Sequence, residues 1–383
     1  MKDINICLLS DTIYDLNGVS RFIQDFAKEA IKRDKKFYVI GSTLKSSDEK
    51  IDNIYNIKAL FKIKMPFYKS LDLVFPNFFK IHKKIKEINP SLIHISTPGF
   101  VGLAALISSK ILNIPIVGVY HTDFPSYLYQ NTKSKSVLFI TRTFIKIFYK
   151  NYKKIFCRTD EYKKILENDL GFKKENLLTL KAGIDLSKFD KTFSSDVIWK
   201  SKNIENNNLK ALYVGRVSVE KNLDLLIEFW KESDFKNLDL ILVGDLEFNV
   251  DEEELKRSNI YFLGRAKGKE LSTIYASSSF FLFPSITDTL GQVVMEALAS
   301  GLPVIVTNKG GPKEFVNDKI GYVLDIDNKK EWKKTINLLC ENRDILKMKS
   351  LNAIKFMQEN SISQSFEDFW NKNLQIYEEL LKK

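Results

Sequence analysis

The stretch SSFFLFPSITDTLGQVVMEALASGLPVIVT, residues 278–307, predicts one complete β-α-β unit. SSFFLFPS is a buried strand, QVVMEALASG is a helix that ends at Gly301, and LPVIVT begins the next strand. Asp288 lies in the loop and Glu296 lies in the helix. Two carboxylates so placed can bind different hydroxyl pairs of one elongated ligand, such as a sugar nucleotide. The alternative is a loop acid and a solvated helix acid with no shared ligand.

The same alternation of apolar runs and helical patterns extends over the whole chain. INICLLS, SLIHIS and IPIVGVYH are strand candidates in the first half, and ALYVGR and LDLILVGD restart the pattern in the second. Such alternation is typical of parallel sheets covered by helices. The fold class predicted is therefore α/β, with two doubly wound, Rossmann-like domains. Their expected bounds are 1–190 and 209–364, with an Asn-rich linker at 191–208 and a C-terminal helix at 365–383 that packs towards the first domain.

The positive charge of the chain is concentrated in its N-terminal half. The net charge is +11, but residues 1–200 hold 34 Lys and Arg against 20 Asp and Glu, while the remainder holds 25 against 28. This asymmetry indicates an anionic partner for the first half, whereas the bland explanation is a lysine-rich composition. No nucleic-acid motif accompanies the basic patches, so a nucleic-acid partner is not expected. Because no signal peptide, transmembrane segment or paired cysteine pattern is recognised, we expect a cytoplasmic location.

Three further loops follow predicted strands, where ligands bind in open parallel sheets. Gly18 stands at the start of a helix, where backbone N–H groups favour a phosphate, although glycine there can be only a turn. His121 ends a strand and can exchange a proton near neutral pH, although a structural hydrogen bond is the commoner role. Arg216 and Lys221 flank a strand-to-helix turn and can clamp a diphosphate, or else be two solvated cations.

These motifs together resemble glycosyltransferase family 4, the retaining nucleotide-sugar enzymes of the GT-B fold, in which an E-x7-E motif precedes a Gly-x-Pro-Val strand. Here that motif is DTLGQVVME, with Asp288 in place of the first glutamate and Leu290 in place of the usual phenylalanine. The resemblance also covers NGV at 17–19, HTDFP at 121–125, AGIDLSKF at 182–189 and GRVSVEKN at 215–222. It implies that the two domains face each other across a cleft.

The resemblance also implies a role for each matching residue. Glu296 would bind the ribose hydroxyls, and Asp288 the 3- and 4-hydroxyls of the donor sugar. Arg216 and Lys221 would hold the diphosphate, Gly18 would let the first loop approach it, and His121 would lie beside the transferring sugar. The remaining donor-binding positions are Gly215, Thr289, Leu290 and Gly291.

The activity implied is hexosyl transfer from a UDP- or GDP-hexose with retention of the anomeric configuration, and without an essential metal. HTDFP and TDTLGQVVMEALASGLP resemble most the mannosyl- and glucosyltransferases that act on lipids, so a glycolipid or its lipid precursor is the first acceptor expected. A polysaccharide or a lipid-linked oligosaccharide is the second. A nucleotide-sugar epimerase and a non-catalytic sugar-nucleotide-binding protein remain as other classes.

The basic first half contains a candidate membrane contact. The pattern VLFITRTFIKIFYKNYKKIF predicts one helix over 137–156, with Arg142, Lys146, Lys150 and Lys153 on one face. A basic, aromatic amphipathic helix is typical of interfacial contact with anionic lipids. Residues 64–86 form a second basic and aromatic patch. The alternative is that the apolar face of the helix only packs on the sheet. The sequence therefore predicts a peripheral enzyme on the inner face of the cytoplasmic membrane.

Overall fold

The computed structural model describes residues 4–15, 17–46, 49–64, 72–204 and 207–382. The chain divides into two compact units. Unit 1 is formed by Met1–Ala182 and Ile362–Lys383, and unit 2 by Gly183–Ser361. Within the described ranges, none of the helices has the length and apolar character that crossing a bilayer requires.

Unit 1 alternates strands and helices from its first residues. Its strands are β1 (Ile6–Ser10), β2 (Phe37–Gly41), β3 (Ile54–Asn56), β4 (Phe61–Lys64), β5 (Asp72–Phe75), β6 (Leu92–Ile95), β7 (Ile116–Tyr120), β8 (Ile155–Cys157) and β9 (Leu177–Thr179). Its helices up to residue 168 are α1 (Gly18–Lys32), α2 (Phe78–Ile88), α3 (Phe100–Leu112), α4 (Phe124–Thr132), α5 (Lys135–Tyr149) and α6 (Asp160–Asn168).

The main sheet of unit 1 is parallel, in the order β3-β2-β1-β6-β7-β8-β9, and β4 and β5 form a separate antiparallel hairpin. Every residue of β1, β6 and β7 is buried, as expected for strands covered by helices on both faces. Strand order reverses between β1 and β6, so their carboxyl ends open a crevice. Asp11, after β1, accepts hydrogen bonds from Thr97 Oγ1 (2.7 Å) and from Val101 N (2.8 Å) at the start of α3.

Unit 2 repeats the arrangement. It contains α7 (Val197–Ser201), β10 (Leu209–Val214), α8 (Leu223–Ser233), β11 (Leu238–Val243), α9 (Glu252–Arg257), β12 (Ile260–Phe262), α10 (Gly268–Ser277), β13 (Phe280–Phe283), α11 (Gln292–Ala299), β14 (Val304–Thr307), β15 (Gly321–Leu324), α12 (Lys329–Glu341) and α13 (Arg343–Gln358). The parallel sheet has the order β12-β11-β10-β13-β14-β15. Its strand order reverses between β10 and β13, which places the candidate ligand edge there.

The last helix, α14 (Ile362–Leu381), belongs to unit 1 although unit 2 precedes it in the chain. Phe366 and Phe369 are fully buried in the same core cluster as Phe26 of α1 and Phe37 of β2. The apolar side chains recur at helical spacing on one face, and burial of that face removes them from water. The N-terminal part of the chain and its C-terminal helix therefore share one hydrophobic core.

The residues assigned to a linker pack within unit 2 as far as they are described. Trp199 of α7 is buried, Lys191 Nζ donates to Ala276 O of α10 (2.7 Å), and Ser195 N donates to Ser277 Oγ (2.9 Å). These contacts attach residues 191–204 to α10. The first unit accordingly ends at Ala182 and not at residue 190. Residues 205 and 206 of the asparagine-rich stretch lie outside the described ranges.

Candidate functional site

The switch point of unit 2 brings together two loops that are far apart in sequence. β10 and β13 are neighbouring parallel strands, with Ala211 opposite Phe280 and Leu212 opposite Phe281. The loop after β10 carries Arg216 and Lys221, and the loop after β13 carries Asp288. Carboxyl ends of adjacent parallel strands meet at one edge of the sheet, so the cations and the carboxylate converge there.

Lys221 and Asp288 form the central ion pair of this edge. Lys221 Nζ lies 2.6 Å from Asp288 Oδ2, and Ser285 Oγ donates to the same carboxylate oxygen at 2.5 Å. The side chains of Lys221 and Asp288 keep 13% and 26% of their surface exposed. A ligand can therefore reach both groups, which are already oriented by each other.

The electrostatics of the edge hold Asp288 in its charged form. Burial raises the pKa of this carboxyl, but the charge of Lys221, the hydrogen bonds from Lys221 and Ser285, and the charge of Arg216 together lower the pKa below its usual value. Asp288 is thus ionised at neutral pH. An ionised carboxylate accepts hydrogen bonds from hydroxyl groups, as the predicted contact with the donor sugar requires.

Arg216 is held by two carboxylates that the sequence analysis did not single out. Its Nη1 lies 2.8 Å from Glu220 Oε1 and 3.5 Å from Glu247 Oε2. Burial raises the pKa of Glu247, and the charge of Arg216 opposes that shift. Glu220 and Glu247 therefore hold the Arg216 guanidinium in place and partly neutralise its charge. A diphosphate that binds Arg216 would compete with these two carboxylates.

Two glycines give this edge its backbone shape. Gly215 has φ +147°, and a Cβ there would lie 2.7 Å from the Tyr213 hydroxyl. Gly291, which precedes α11, has φ +69°, and a Cβ there would lie 2.5 Å from Pro312 Cγ. Both the positive φ and the close neighbours require glycine. The Gly291 position turns the chain so that α11 starts directly after the Asp288 loop.

Hydrogen bonds fix the loop that carries Asp288. Asn222 Nδ2 donates to Pro284 O (2.8 Å), and Gly311 N donates to Asp288 O (2.8 Å). Thr289 and Leu290 are both buried. The structure thus places the backbone of the loop at the ligand edge, and the role predicted for the amides of Thr289, Leu290 and Gly291 stays a prediction.

Glu296 lies inside unit 2. Its side chain is fully buried, and its Oε2 accepts a hydrogen bond from the hydroxyl of Tyr275 at 3.0 Å. The alternative that Glu296 is a solvated helix acid is therefore wrong. Ribose binding by Glu296 stays a prediction, and it requires a ribose hydroxyl to reach this buried carboxylate. Tyr275 carries no motif that would have revealed the contact.

Gly18 lies at the exposed first position of α1 and follows the helix cap. Asn17 Oδ1 accepts from Ser20 N at 2.8 Å, and Asn17 Nδ2 donates to Thr12 Oγ1 at 3.1 Å. Asparagine at this position is thus an N-cap, which orders the β1–α1 turn. The first turn of α1 contains no acid. Phosphate binding at Gly18 stays a prediction.

His121 is placed by the end of β7 against α1. Its ring centroid lies 5.0 Å from that of Phe22 in an edge-on contact. Burial lowers the pKa of His121 well below its usual value, and the charges of Arg158 and His94 add to this shift. His121 is therefore neutral at physiological pH. A neutral imidazole can donate or accept a hydrogen bond, but with this lowered pKa it does not exchange a proton near neutral pH as the sequence suggested.

His94 gives the stability of the folded protein a defined pH dependence. It is fully buried on β6, and burial lowers its pKa from 6.5 to about 3. The unfolded chain therefore binds a proton that the folded chain excludes, so stability is complete above pH 6.5 and falls as the pH drops towards 3, by about 1.4 kcal/mol per pH unit. His94→Leu should therefore reduce the fall in unfolding free energy between pH 7.5 and 5 by about 2 kcal/mol, because His94 contributes over the 1.5 pH units below 6.5. Urea denaturation at both pH values measures it, and identical slopes in the two proteins would contradict it.

The basic helix predicted over 137–156 is shorter than expected. α5 ends at Tyr149, Lys150 is its C-cap, and Lys153 lies in the turn before β8. The helix stops because Ile155–Cys157 must enter the sheet beside β7. Arg142 and Lys146 lie on the helix, whereas Lys150 and Lys153 do not, so the single four-residue basic face is wrong.

Arg142 also differs from a free surface cation, since its Nη2 lies 2.6 Å from Asp169 Oδ2. The second basic patch is described only in part, because residues 65–71 lie outside the described ranges.

Three residues at the ligand edge of unit 2 were not predicted from the sequence. Ser285 is an ordinary strand-end serine, and Glu220 pairs with Arg216 at helical spacing, as many surface pairs do. Glu247 becomes visible only through the pairing of β10 with β11. The four-residue spacing between Arg216 and Glu220 could have suggested their ion pair. The contact of Glu247 with Arg216 could not be predicted without knowing that β10 pairs with β11.

Comparison with known proteins defines the class to which this fold and site belong. The model described as "Glycosyltransferase Family 4" matches residues 16–188, and the model described as "Glycosyl transferases group 1" matches residues 195–356. The two matches correspond to the two units and together cover most of the chain. The chain belongs to these glycosyltransferases, as the motifs predicted.

Two solved structures share the fold. Sucrose-phosphate synthase from Thermosynechococcus elongatus superposes with a TM-score of 0.77 at 15% identity, covering 97% of this chain and 99% of that one. HepE from Anabaena, in complex with UDP and glucose, gives a TM-score of 0.74 at 17% identity and covers 97% and 100%. Both are GT-B glycosyltransferases, so the predicted GT-B fold is confirmed.

Three curated relatives show the branch of the family that is similar to this chain. The sulfoquinovosyl transferase SQD2 of Arabidopsis thaliana is 28% identical over 73% of this chain, but the match spans only 55% of that protein. A GDP-mannose-dependent alpha-mannosyltransferase of Mycobacterium tuberculosis is 23% identical over 82% of each chain. An alpha-monoglucosyldiacylglycerol synthase of Streptococcus pneumoniae is 24% identical over 83% of this chain and 74% of that one.

Proposed function

We propose that this protein is a retaining hexosyltransferase that moves a mannose- or glucose-type sugar from a nucleoside diphosphate to a membrane glycolipid or its lipid precursor. The observation that carries the proposal is the convergence of Arg216, Lys221 and Asp288 at the switch point of unit 2. Two cations and one ionised carboxylate at a strand edge match a diphosphate attached to a polyhydroxyl sugar. The name of the mannosyltransferase relative, which specifies GDP-mannose, supports a nucleotide-sugar donor.

In this mechanism the protein stabilises the leaving group. Lys221 and Arg216 bind the departing diphosphate, where negative charge develops as the glycosidic bond breaks. Asp288 holds the sugar hydroxyls and keeps the anomeric carbon oriented. An oxygen of the leaving phosphate takes the proton of the acceptor hydroxyl on the same face, which retains the configuration. With two cations in this role, no metal ion is needed.

Donor consumption tests the proposal directly. The purified protein is incubated with a panel of UDP- and GDP-hexoses, with and without anionic vesicles that contain diacylglycerol or phosphatidylinositol, and nucleoside diphosphate release is measured. Release that requires the lipid, and retention of configuration in the isolated product, would support a lipid-acting hexosyltransferase. If no donor is consumed while a donor still binds in a titration, the protein is a binding module. Release of a free sugar product without an acceptor would favour an epimerase.

The membrane part of the proposal rests on the outer surface of α5. Phe139, Ile140, Phe144 and Ile147 expose between 50% and 72% of their side chains, although they are large and apolar. Lys146 is exposed beside them. A helix that presents apolar side chains and cations to solvent fits the boundary between lipid headgroups and acyl chains.

The neighbouring helix α3 extends this surface. Phe148 of α5 packs over Gly102 of α3, because a Cβ at Gly102 would lie 3.0 Å from Phe148 Cζ. The outer row of α3, Leu103, Ile107 and Ile111, is also exposed and apolar. Both helices bury their other faces in the same core cluster, and two exposed apolar rows are uncommon on a surface that faces only water. We therefore place the lipid-facing side of unit 1 on α3 and α5, at the inner face of the cytoplasmic membrane.

A paired substitution on α5 separates insertion from simple charge attraction. Phe144→Ser with Ile147→Ser should reduce partitioning onto vesicles that contain anionic lipid at least tenfold, since burial of each large side chain contributes roughly 1.5–3 kcal/mol. Sedimentation with vesicles measures the loss. The matched control is Leu351→Ser, an exposed leucine of α13 in unit 2. Equal partitioning of all three proteins would show that α5 is not the membrane contact.

A further inference from the structure

Arg158, directly after β8, is a buried cation without a counter-ion among the described residues. Its side chain is 6% exposed, and its Nη1 has no hydrogen-bond partner within the described ranges. Burial lowers the pKa of Arg158 to about 10, so the guanidinium stays protonated at neutral pH. An uncompensated buried charge is strongly unfavourable, and an apolar side chain of similar volume would suit a purely structural position better. Among the described residues, the face of the Phe22 ring stabilises this charge, but no carboxylate neutralises it.

The position of Arg158 relates this charge to the candidate chemistry of unit 1. β7 and β8 are parallel neighbours with Tyr120 opposite Cys157, so the residues that follow, His121 and Arg158, leave the same edge of the sheet. Phe22 of α1 covers both, with its ring centroid 4.6 Å from Arg158 Cζ and 5.0 Å from the ring of His121. Phe22 lies about one turn after the start of α1 at Gly18.

No described carboxylate offsets the charge of Arg158. Asp160 and Glu161 follow it in the first turn of α6, but burial, and no neighbouring charge, shifts the pKa of Arg158. The first turn of α1 carries no acid, so the positive end of the helix dipole is not neutralised by its own side chains. His121, which interacts with Arg158, has its pKa lowered and is neutral, so it adds no second positive charge at this edge. An anion bound at this edge would remove the cost of the buried guanidinium and would meet the helix start as well.

We propose that Arg158 binds phosphoryl oxygens of a substrate, together with the N-terminal end of α1. The assignment rests on the proposed function only for the source of the phosphate, which is either the diphosphate of the sugar donor or a phosphate on the lipid acceptor. The guanidinium fork forms two N–H to O contacts with one phosphoryl group, a geometry that lysine cannot reproduce. Arg158 is thus a binding residue of unit 1 and is distinct from the cations of unit 2.

Inorganic pyrophosphate is the first probe, because its binding does not require turnover. Isothermal titration is carried out on the full chain in an Arg216→Ala background, so that heat from the unit 2 cations is reduced. Adding Arg158→Met should weaken pyrophosphate binding about tenfold or more, the loss expected for charged hydrogen bonds. Adding Arg158→Lys should give a smaller loss. The matched control is Arg33→Met, an arginine of the same unit whose Nε lies 3.6 Å from Glu29 Oε2, and it should leave the pyrophosphate affinity unchanged.

The unfolding temperature of the same variants distinguishes a ligand-binding role of Arg158 from a structural one. If Arg158 serves ligand binding, Arg158→Met should unfold at the same or a higher temperature than its parent while it loses affinity. Unchanged pyrophosphate affinity in both Arg158 variants would overturn the assignment. Since no sugar transfer is measured, pyrophosphate binding through Arg158 can hold even if every donor in the panel fails, so the two proposals fail separately.

Steady-state kinetics then identify the source of the phosphate. A tenfold rise in the KM for the nucleotide sugar, with the KM for the acceptor unchanged, assigns Arg158 to the donor diphosphate. A rise in the KM for a phosphate-bearing acceptor lipid, but not for diacylglycerol, assigns it to the acceptor. Arg158→Met with neither KM changed would contradict a role in substrate binding.

Discussion

Replacing Lys221 by alanine is expected to lower kcat/KM for the nucleotide sugar by roughly 100- to 1,000-fold, the usual effect of removing one preorganised electrostatic contact to a developing charge. The ammonium lies 2.6 Å from Asp288 Oδ2 and is held there before any ligand binds. Its loss removes a cation from the leaving diphosphate and the counter-ion from the carboxylate that orients the sugar. Both losses lower the activity, so Lys221→Ala should reduce kcat/KM more than the loss of the diphosphate contact or of the Asp288 ion pair alone would.

The pH dependence of the same variant gives an independent check. The charge of Lys221 and its hydrogen bond lower the pKa of Asp288 against the opposing effect of burial. Without Lys221 the pKa of Asp288 must rise, because Ser285 and Arg216 alone then oppose the effect of burial. The acidic limb of the pH profile should therefore move to higher pH in Lys221→Ala. A profile with the acidic limb of the wild type would mean that Asp288 does not need to be ionised for activity.

Lys231→Ala is the matched control for Lys221→Ala. Lys231 is paired with Glu254 at 2.6 Å in the same unit, but both side chains are more exposed than those of the Lys221 pair. An exposed pair contributes little, so this variant should keep kcat/KM within about twofold of the wild type. Activity of Lys221→Ala within threefold of the wild type would contradict the proposed role of the switch-point cations.

The sequence predicts the positions of the strands well, because buried parallel strands are continuous apolar runs between turn signals. INICLLS becomes β1, ALYVGR becomes β10 and SSFFLFPS becomes β13 within one or two residues. The convergence of Arg216, Lys221 and Asp288 also follows, since each stands just after such a strand. Motif spacing and the strand-end rule were sufficient for this part of the site.

Side-chain burial and helix ends were harder to predict. Helical periodicity continues through Lys150 and Lys153, but pairing of β8 in the sheet ends α5 earlier, so tertiary structure overrides the local pattern. Glu296 is buried against Tyr275 because α10 packs on α11, a contact between segments that no local pattern records. A binding role for Arg158 could not be predicted from the sequence, because a single cation after a strand forms no motif.

Replacing Phe369 by alanine is expected to destabilise unit 1 by about 3–5 kcal/mol, the usual cost of truncating a buried phenylalanine. The Phe369 ring is fully buried, and its centroid lies 5.2 Å from that of Phe26, 5.9 Å from Phe37 and 6.0 Å from Phe156. These partners come from α1, β2 and β8, so one side chain of α14 contacts three elements of the N-terminal core. Its removal leaves a cavity that such a core fills poorly.

The readout must distinguish the two units, because a chain with two units need not unfold in one step. Hydrogen exchange in mild urea, followed in peptides from β1 and α1, reports the opening of unit 1. Those peptides should exchange faster in Phe369→Ala, whereas peptides from β10 and β13 should not change. Leu381→Ala, at the exposed end of the same helix, is the matched control and should cost less than about 0.5 kcal/mol. If Phe369→Ala leaves β1 and α1 as protected as in the wild type, α14 is not required by the unit 1 core, and the chain could be shortened at Ser361 without loss of that unit.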